Sequence, residues 1–394
     1  MSAPPRANSV AQDPIPLARP ELGAREEELV LEALRSGILS LGPRQEQFET
    51  EFASWVGSDD AVAVSSGTAA LHLGVRALGW GEGDEVITTP LSFVASSNCL
   101  LYEGATPVFC EVDPVTLTLD PATAETAVGE RTAGILPVHI FGYPADLLGL
   151  ERIADGREIP ILEDACQALG AVDTEGRSIG SAGHVAAFAF YANKQITTGE
   201  GGAIVPAGEQ MAERLRSERN QGRAPDMSSL DHDRIGFNYR LTEIQAAIGV
   251  AQVEKLDELL AERRRVAASY SECLSGQGAA PAGEGDADGL VLPCADRGDE
   301  QRGWFVYCVQ LPAGADRGRV IKSLAAEGIA SKGYLPCIHL MPPYRERFGF
   351  TGGEFPVAER VAERSLALPF FGSMRDEQVE RVCTALAGAL DLRP

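Results

Sequence analysis

The segment Phe190-Tyr191-Ala192-Asn193-Lys194-Gln195-Ile196-Thr197-Thr198-Gly199-Glu200-Gly201-Gly202 sets a lysine between an apolar run and a glycine-rich turn. A lysine attacks an aldehyde only as the neutral amine, and partial burial beside a cationic ring lowers its pKa in that direction. Only Lys194, Lys255, Lys322 and Lys332 are lysines, and the rest of the 34 basic residues are arginines. A solvated surface lysine is the plain alternative. The scarcity of lysine and the tight Gly-rich setting argue against it for Lys194.

Three other places carry chemistry of a matching kind. Glu163-Asp164-Ala165-Cys166-Gln167 follows the apolar run 159–162, so Asp164 stands at a strand end. A carboxylate there can pair with a protonated ring nitrogen and keep a pyridinium charged as an electron sink, although an N-cap for the next helix reads equally well. Ser65-Ser66-Gly67-Thr68 turns from strand to helix, where unpaired amides can hold a phosphate and Gly67 permits close approach. Taken alone, that turn is also an ordinary N-cap. Phe93, in Thr88-Thr89-Pro90-Leu91-Ser92-Phe93, offers an aromatic face to a flat ring, or simply packs in the core.

These residues need a scaffold that brings strand ends together, and the hydrophobic pattern supplies an α/β one. Helical spacing covers 26–34 and 45–55, with Gly37 and Gly42 between them. Strand-like runs then recur at 61–64, 85–89, 106–110, 133–138, 159–162, 185–190 and 202–205, several separated by helix-length segments such as 147–155. Such alternation predicts a mostly parallel seven-stranded sheet covered by helices, with ligands expected beyond the carboxyl ends of its strands. A long helix is expected over 242–270, followed by an aperiodic surface excursion at 275–289. A strand at 305–311, a helix at 317–327 and a terminal helix at 376–390 predict a smaller C-terminal α+β unit. The division expected is a flexible Pro-rich arm over 1–22, ordered only by docking, a large domain over 23–255 and a small domain over 256–394.

Composition narrows the function. A net charge of −23 repels phosphate backbones and anionic lipid, so no nucleic acid and no membrane surface is expected as partner. The N-terminal stretch lacks an apolar signal core, and no apolar run nears the roughly 18 residues that span a bilayer, which predicts a cytoplasmic protein. Eight cysteines without CxxC spacing and five histidines without ligand spacing predict neither a disulfide framework nor a metal site.

In order and spacing, the segments SSGTAALHL, TTPLSFVASSN, VHIFGYPAD, EDACQALGA, FYANKQITTGEGG, GFNYRLTEIQAAIG, YLPCIHLMPPY and RSLALPFF resemble the fold-type I sugar aminotransferases of the DegT/DnrJ/StrS family, of the perosamine-synthase-like kind. The resemblance implies a PLP-transferase fold with pyridoxal 5'-phosphate as cofactor. It implies Lys194 as the Schiff-base lysine and the base that moves the proton, and Asp164 as partner of the ring nitrogen. Gln167 is then expected on the ring hydroxyl, Phe93 stacked on the ring, and Ser66, Gly67 and Thr68 on the phosphate. Asn238 is expected to reach the phosphate of a neighbouring subunit, which implies a homodimer with shared active sites. Tyr334 and His339 match the part of the family that approaches the sugar, with a structural role as the alternative for each. The implied reaction carries an amino group from glutamate to a keto-sugar, either a nucleotide-linked 4-keto or 3-keto deoxyhexose or a cyclitol. Dehydrating relatives carry His in place of the lysine, which Lys194 argues against, and a non-catalytic regulator would not need both Lys194 and Asp164. One departure stands out: Ala189 occupies a position where the family usually has Ser, removing an expected phosphate hydroxyl.

Overall fold

The computed structural model describes residues 13–224 and 231–391. The part of the N-terminal arm before residue 13 therefore lies outside the described residues. Seven strands, β1 (Val62–Val64), β2 (Glu85–Thr88), β3 (Thr106–Phe109), β4 (Thr132–Ile135), β5 (Leu162–Asp164), β6 (Val185–Ala189) and β7 (Gly202–Val205), form one layer. Its order is β3-β2-β4 joined to β5-β6-β7-β1, the two sets linked by bridges Ile135↔Ile161 and Val138↔Asp164. The pairs β2–β3, β2–β4 and β5–β6 are parallel, while β7 runs antiparallel to both β6 and β1. Mostly parallel is thus correct, with β7 as the reversed strand.

The period-2 alternation of strand side chains explains the two faces of this layer. Ala63 of β1, Ala186 and Phe188 of β6 and Ala203 and Val205 of β7 join Phe48, Phe52, Ala247 and Val250 in one apolar cluster. Val62, Val185, Ala187 and Ile204 point the other way, onto Leu71, Leu73 and Val75. The first cluster is covered by α1 (Ala24–Ser36), α2 (Pro43–Val56) and the helix Glu243–Glu254, the second by α3 (Gly67–Leu78) and α4 (Ala95–Tyr102). Covering both faces is what permits a parallel sheet to be apolar throughout.

The helix expected over 242–270 is two helices, Glu243–Glu254 and Leu256–Ser275, broken at Lys255. The ammonium of Lys255 is tied there to Glu26 Oε1 at 2.7 Å and to the Glu21 carbonyl at 3.0 Å. From this break the second helix runs to a five-stranded sheet of β8 (Ala280–Pro281), β9 (Val291–Leu292), β10 (Tyr307–Gln310), β11 (Lys332–Gly333) and β12 (Ser365–Leu368), ordered β11-β12-β10-β9-β8. The segment 275–289 is not all surface loop, since it supplies β8. The visible part of the N-terminal arm docks on this second unit: Ile15 is buried and pairs with Ile329, and Phe370 N donates to the Leu17 carbonyl at 2.9 Å. No helix among the described residues is long and apolar enough to cross a membrane.

Candidate active site

The carboxyl ends of β1, β2, β5 and β6 lie along one edge of the large sheet, and the loops after them enclose a cleft of about 520 Å³. A second hollow near residues 57–60 and 205–209 is of similar size but has no lysine in its lining, so chemistry and not size selects the site. β5 ends on Asp164 itself, two residues later than the apolar run suggests. Strand alternation sends the neighbouring Glu163 to the opposite face, where it meets His139 Nε2 at 3.1 Å. Asp164 is 4% exposed, and its Oδ2 accepts from Ser96 Oγ at 2.6 Å while its Oδ1 accepts from Cys166 N at 3.1 Å. Ser92 Oγ stands 2.7 Å from Ser96 Oγ, so the loop before α4 holds the carboxylate in place.

After β1, Ser66 caps α3, its hydroxyl accepting from Ala69 N at 3.1 Å. The capping reading of this turn is therefore right for Ser66, while Gly67 and Thr68 line the cleft and their amides find no acceptor among the described residues. Position 67 admits only glycine, because a Cβ there would stand 2.5 Å from Ala189 Cβ and 3.0 Å from Cys166 Sγ. Ala189 itself lines the cleft beside this turn, with a methyl where a hydroxyl was expected.

After β6, the turn of residues 190–201 carries Lys194, half-buried, with its Nζ 4.0 Å from the centroid of the Phe305 ring. Burial lowers its pKa from the ordinary lysine value; the nearby Cys166 and Asp164 act the other way, and Arg263 adds to the lowering. Gln167 is buried beside the cleft, its Oε1 accepting from Phe141 N at 3.1 Å. Phe93 borders the cleft and is 58% exposed, which leaves its ring free to meet a planar ligand.

The opposite wall comes from the second unit. Lys332 and Tyr334 alternate along and just beyond β11 and both line the cleft, next to Phe305 and to Leu17 of the arm. Burial pushes the Tyr334 hydroxyl up to about 12, with a hydrogen bond from Asn193 acting against it. The buried Asn193 Oδ1 has no hydrogen-bond partner among the described residues.

Two expected site residues are not brought to this cleft. Asn238 is exposed on a segment paired with Asn220, away from the cleft of its own chain. His339 is fully buried in the second unit, its Nε2 3.0 Å from Glu359 Oε1 and its ring packed against Phe350 and Phe355. The sugar-facing expectation for His339 is thereby corrected: the short helical turn Ile338–Leu340 rotates it into the apolar cluster behind the wall. Glu354 also comes within 4.8 Å of this pair, a grouping of His and acid that spacing along the chain does not reveal. The Glu354 and Glu359 carboxylates are already engaged by the amides of Thr351, Gly352, Gly353 and Phe355.

Sequence reasoning missed Ser96, Lys332, Phe305 and Leu17. Ser96 lies three residues after Phe93, and Lys332 is a scarce lysine at strand spacing from Tyr334, so both had a local signal. Phe305 and Leu17 had none, since each reaches the cleft only through the packing of the second unit.

The profile of the DegT/DnrJ/EryC1/StrS aminotransferase family matches residues 20–387. GDP-perosamine synthase of Caulobacter vibrioides is 38% identical over 375 residues, 94% of this chain and 97% of that protein. The spore coat polysaccharide biosynthesis protein SpsC of Bacillus subtilis is 35% identical over 385 residues, 94% of this chain and 96% of that protein. Among solved structures, DesV of S. venezuelae in complex with a ketimine intermediate superposes with a TM-score of 0.87 at 36% identity, covering 96% of this chain and 99% of that one. With its fold and nearly its whole length matched, the chain belongs to the DegT/DnrJ/EryC1/StrS aminotransferase family.

Proposed function

We propose that the protein uses pyridoxal 5'-phosphate to move an amino group from glutamate onto a keto-sugar, the acceptor being a nucleotide-linked 4-keto or 3-keto deoxyhexose. The observation that carries this reading is the meeting of Lys194, the buried Asp164 and the open amides of Gly67 and Thr68 on one cleft. The residues fit the cofactor: Gly67 and Thr68 line the cleft at the N-terminus of α3, and their amides find no acceptor among the described residues, a setting suited to a phosphate. Bound there, pyridoxal phosphate supplies an electron sink for negative charge on the carbon that bears the amino group.

The chain's own groups do the rest. Asp164, fixed by Ser96 and the Cys166 amide, is the acceptor that would pair with the ring nitrogen of the bound cofactor. Lys194 Nζ, shifted toward the neutral amine by burial, is the group that would hold and move the proton at the substrate carbon, with the cofactor supplying the electron sink. Gln167 and Phe93 are assigned to the ring hydroxyl and the ring face, Ser66, Gly67 and Thr68 to the phosphate, and Tyr334 to the sugar side. Lys332, the other lysine in the cleft lining, supports an acceptor that carries negative charge. The relatives named for GDP-perosamine and for spore coat polysaccharide support a nucleotide-linked sugar over a free cyclitol.

We assign the phosphate of a second subunit to Asn238, in a homodimer. Tyr102 and Phe237 both pack on His72, and with the 78% exposed Ile235 they leave an apolar patch around the exposed Asn238 that a second copy would cover. The large domain over 23–255 then holds the cofactor and the small domain over 256–394 closes on the sugar. Eight free cysteines support a reducing, cytoplasmic setting.

The test is spectroscopic. Protein loaded with pyridoxal phosphate should show a visible cofactor band that glutamate removes and a nucleotide-linked keto-sugar restores, with no such band in Lys194→Ala. A band indifferent to glutamate would sink the aminotransferase reading and favour a dehydratase or a regulator, and restoration only by keto-cyclitols would reassign the acceptor.

A further inference from the structure

Arg263 carries a charge that the proposed reaction does not use and that pairs with no acid among the described residues. It lies in the helix Leu256–Ser275, is 4% exposed, and makes no ion pair among the described residues; Glu21 acts on it only at a distance. Its guanidinium is held by carbonyls alone. Nη2 donates to the Lys194 carbonyl at 2.8 Å, and Nη1 donates to those of Phe305 at 3.2 Å and Trp304 at 3.4 Å. The far side of the group lies over the Phe370 ring, 5.7 Å from its centroid. A buried cation without a carboxylate is costly, so its retention calls for a reason beyond packing.

The carbonyls it selects supply one. Arg263 grips the backbone of Lys194 and, with its other nitrogen, the backbone of the residue whose ring lies 4.0 Å from Lys194 Nζ. We infer that Arg263 is a positioning residue for Lys194: its guanidinium clamps the backbone of the lysine turn to the Phe305 segment of the second unit. Its charge near the Lys194 amine adds in the direction of the neutral form. The other groups bearing on that amine are Asp164 and Cys166, which favour the charged form, and the Phe305 ring. Burial lowers the Arg263 guanidinium to about 10, so it stays charged at neutral pH and the clamp persists there.

The inference rests on reading Lys194 as the reactive amine, and its test keeps the two separable. Full-length protein freed of cofactor is labelled with a trace amine-reactive reagent across a pH series, and each lysine is quantified by peptide mass spectrometry. The exposed Lys322 serves as an internal reference. In the wild type, Lys194 should become reactive at lower pH than Lys322; equal midpoints would overturn the reading of Lys194 itself. Arg263→Met should raise the Lys194 midpoint, cutting labelling near neutral pH by about tenfold, the equivalent of one pKa unit, with Lys322 unchanged. Arg263→Lys, which keeps the charge, should stay within about twofold of wild type on the same scale. A folded Met variant with an unmoved Lys194 midpoint, or a Lys variant that behaves like Met, overturns the inference. If Arg263→Met does not fold, Arg263→Gln reads the same quantity with the same expected direction and the same overturning result.

Discussion

Asp164 and Glu359 are both carboxylates locked by hydrogen bonds, one at the edge of the large sheet and one in the second unit, and they end up with different characters. Glu359 accepts from His339, from the Phe355 amide and from the Gly353 amide, the last through both oxygens. Its donors come from the loop it folds and from His339, and the His339 ring is sealed among Phe350 and Phe355. Asp164 accepts one hydroxyl and one amide, and the cleft opens beside it. A carboxylate ion has about four lone-pair sites, so Asp164 keeps capacity that only a ligand in the cleft can use. An acid whose donors come from its own loop and from a buried histidine is architecture, and one left half-satisfied at a strand end beside a cleft is a site.

The sharpest break of that contrast is made at the cleft. Lys194→Ala should lower steady-state amino transfer by about 10⁴-fold, and Asp164→Asn by about 10²- to 10³-fold, each with thermal stability near wild type. The pH profile of kcat should fall as pH drops through the folded pKa of the freed Lys194 amine, because protonation removes the base. Burial favours the neutral amine, so that limb should lie below the ordinary lysine range.

His339→Gln should do the reverse. Losing the Glu359 partner in a buried cluster should cost about 1 to 3 kcal/mol of stability, read as a lower midpoint in thermal or urea unfolding, while kcat/KM holds within about threefold. A hundredfold fall in kcat/KM at unchanged stability would erase the distinction between the two clusters. Tyr334→Phe deletes the hydroxyl that Asn193 meets and should raise the KM of the keto-sugar by about two- to tenfold, leaving the glutamate half-reaction unchanged. The smallest effect is expected from Ala189→Ser, which places a hydroxyl beside Gly67 and should slow cofactor loss in dialysis by about two- to fivefold.

The floor of the cleft was legible because each of its residues sits a fixed, short step from a strand. Short continuous apolar runs located β1, β2, β5 and β6, and Gly67, Asp164 and Lys194 follow from where those runs stop. The reading slipped where local pattern is ambiguous. The run 159–162 placed the end of β5 two residues early, and a continuous helical periodicity concealed the break at Lys255, which depends on Glu26 and the Glu21 carbonyl more than two hundred positions away. In the segment 333–344, Tyr334 continues the face of β11, while His339 lies in a helical turn whose direction no spacing rule supplies.

By itself the sequence determined the kind of chemistry: a scarce lysine in a glycine-rich turn, an acid after a strand and a glycine at a helix start, all residue types whose roles follow from local backbone form. Only the tertiary structure decided what surrounds them. It brought Phe305 and Arg263 behind Lys194, Leu17 into the wall and Ser96 onto Asp164, and it turned His339 inward. Burial, the pairing of charges and the filling of lone pairs depend on segments far apart in the chain, so they exist only once the two units have packed.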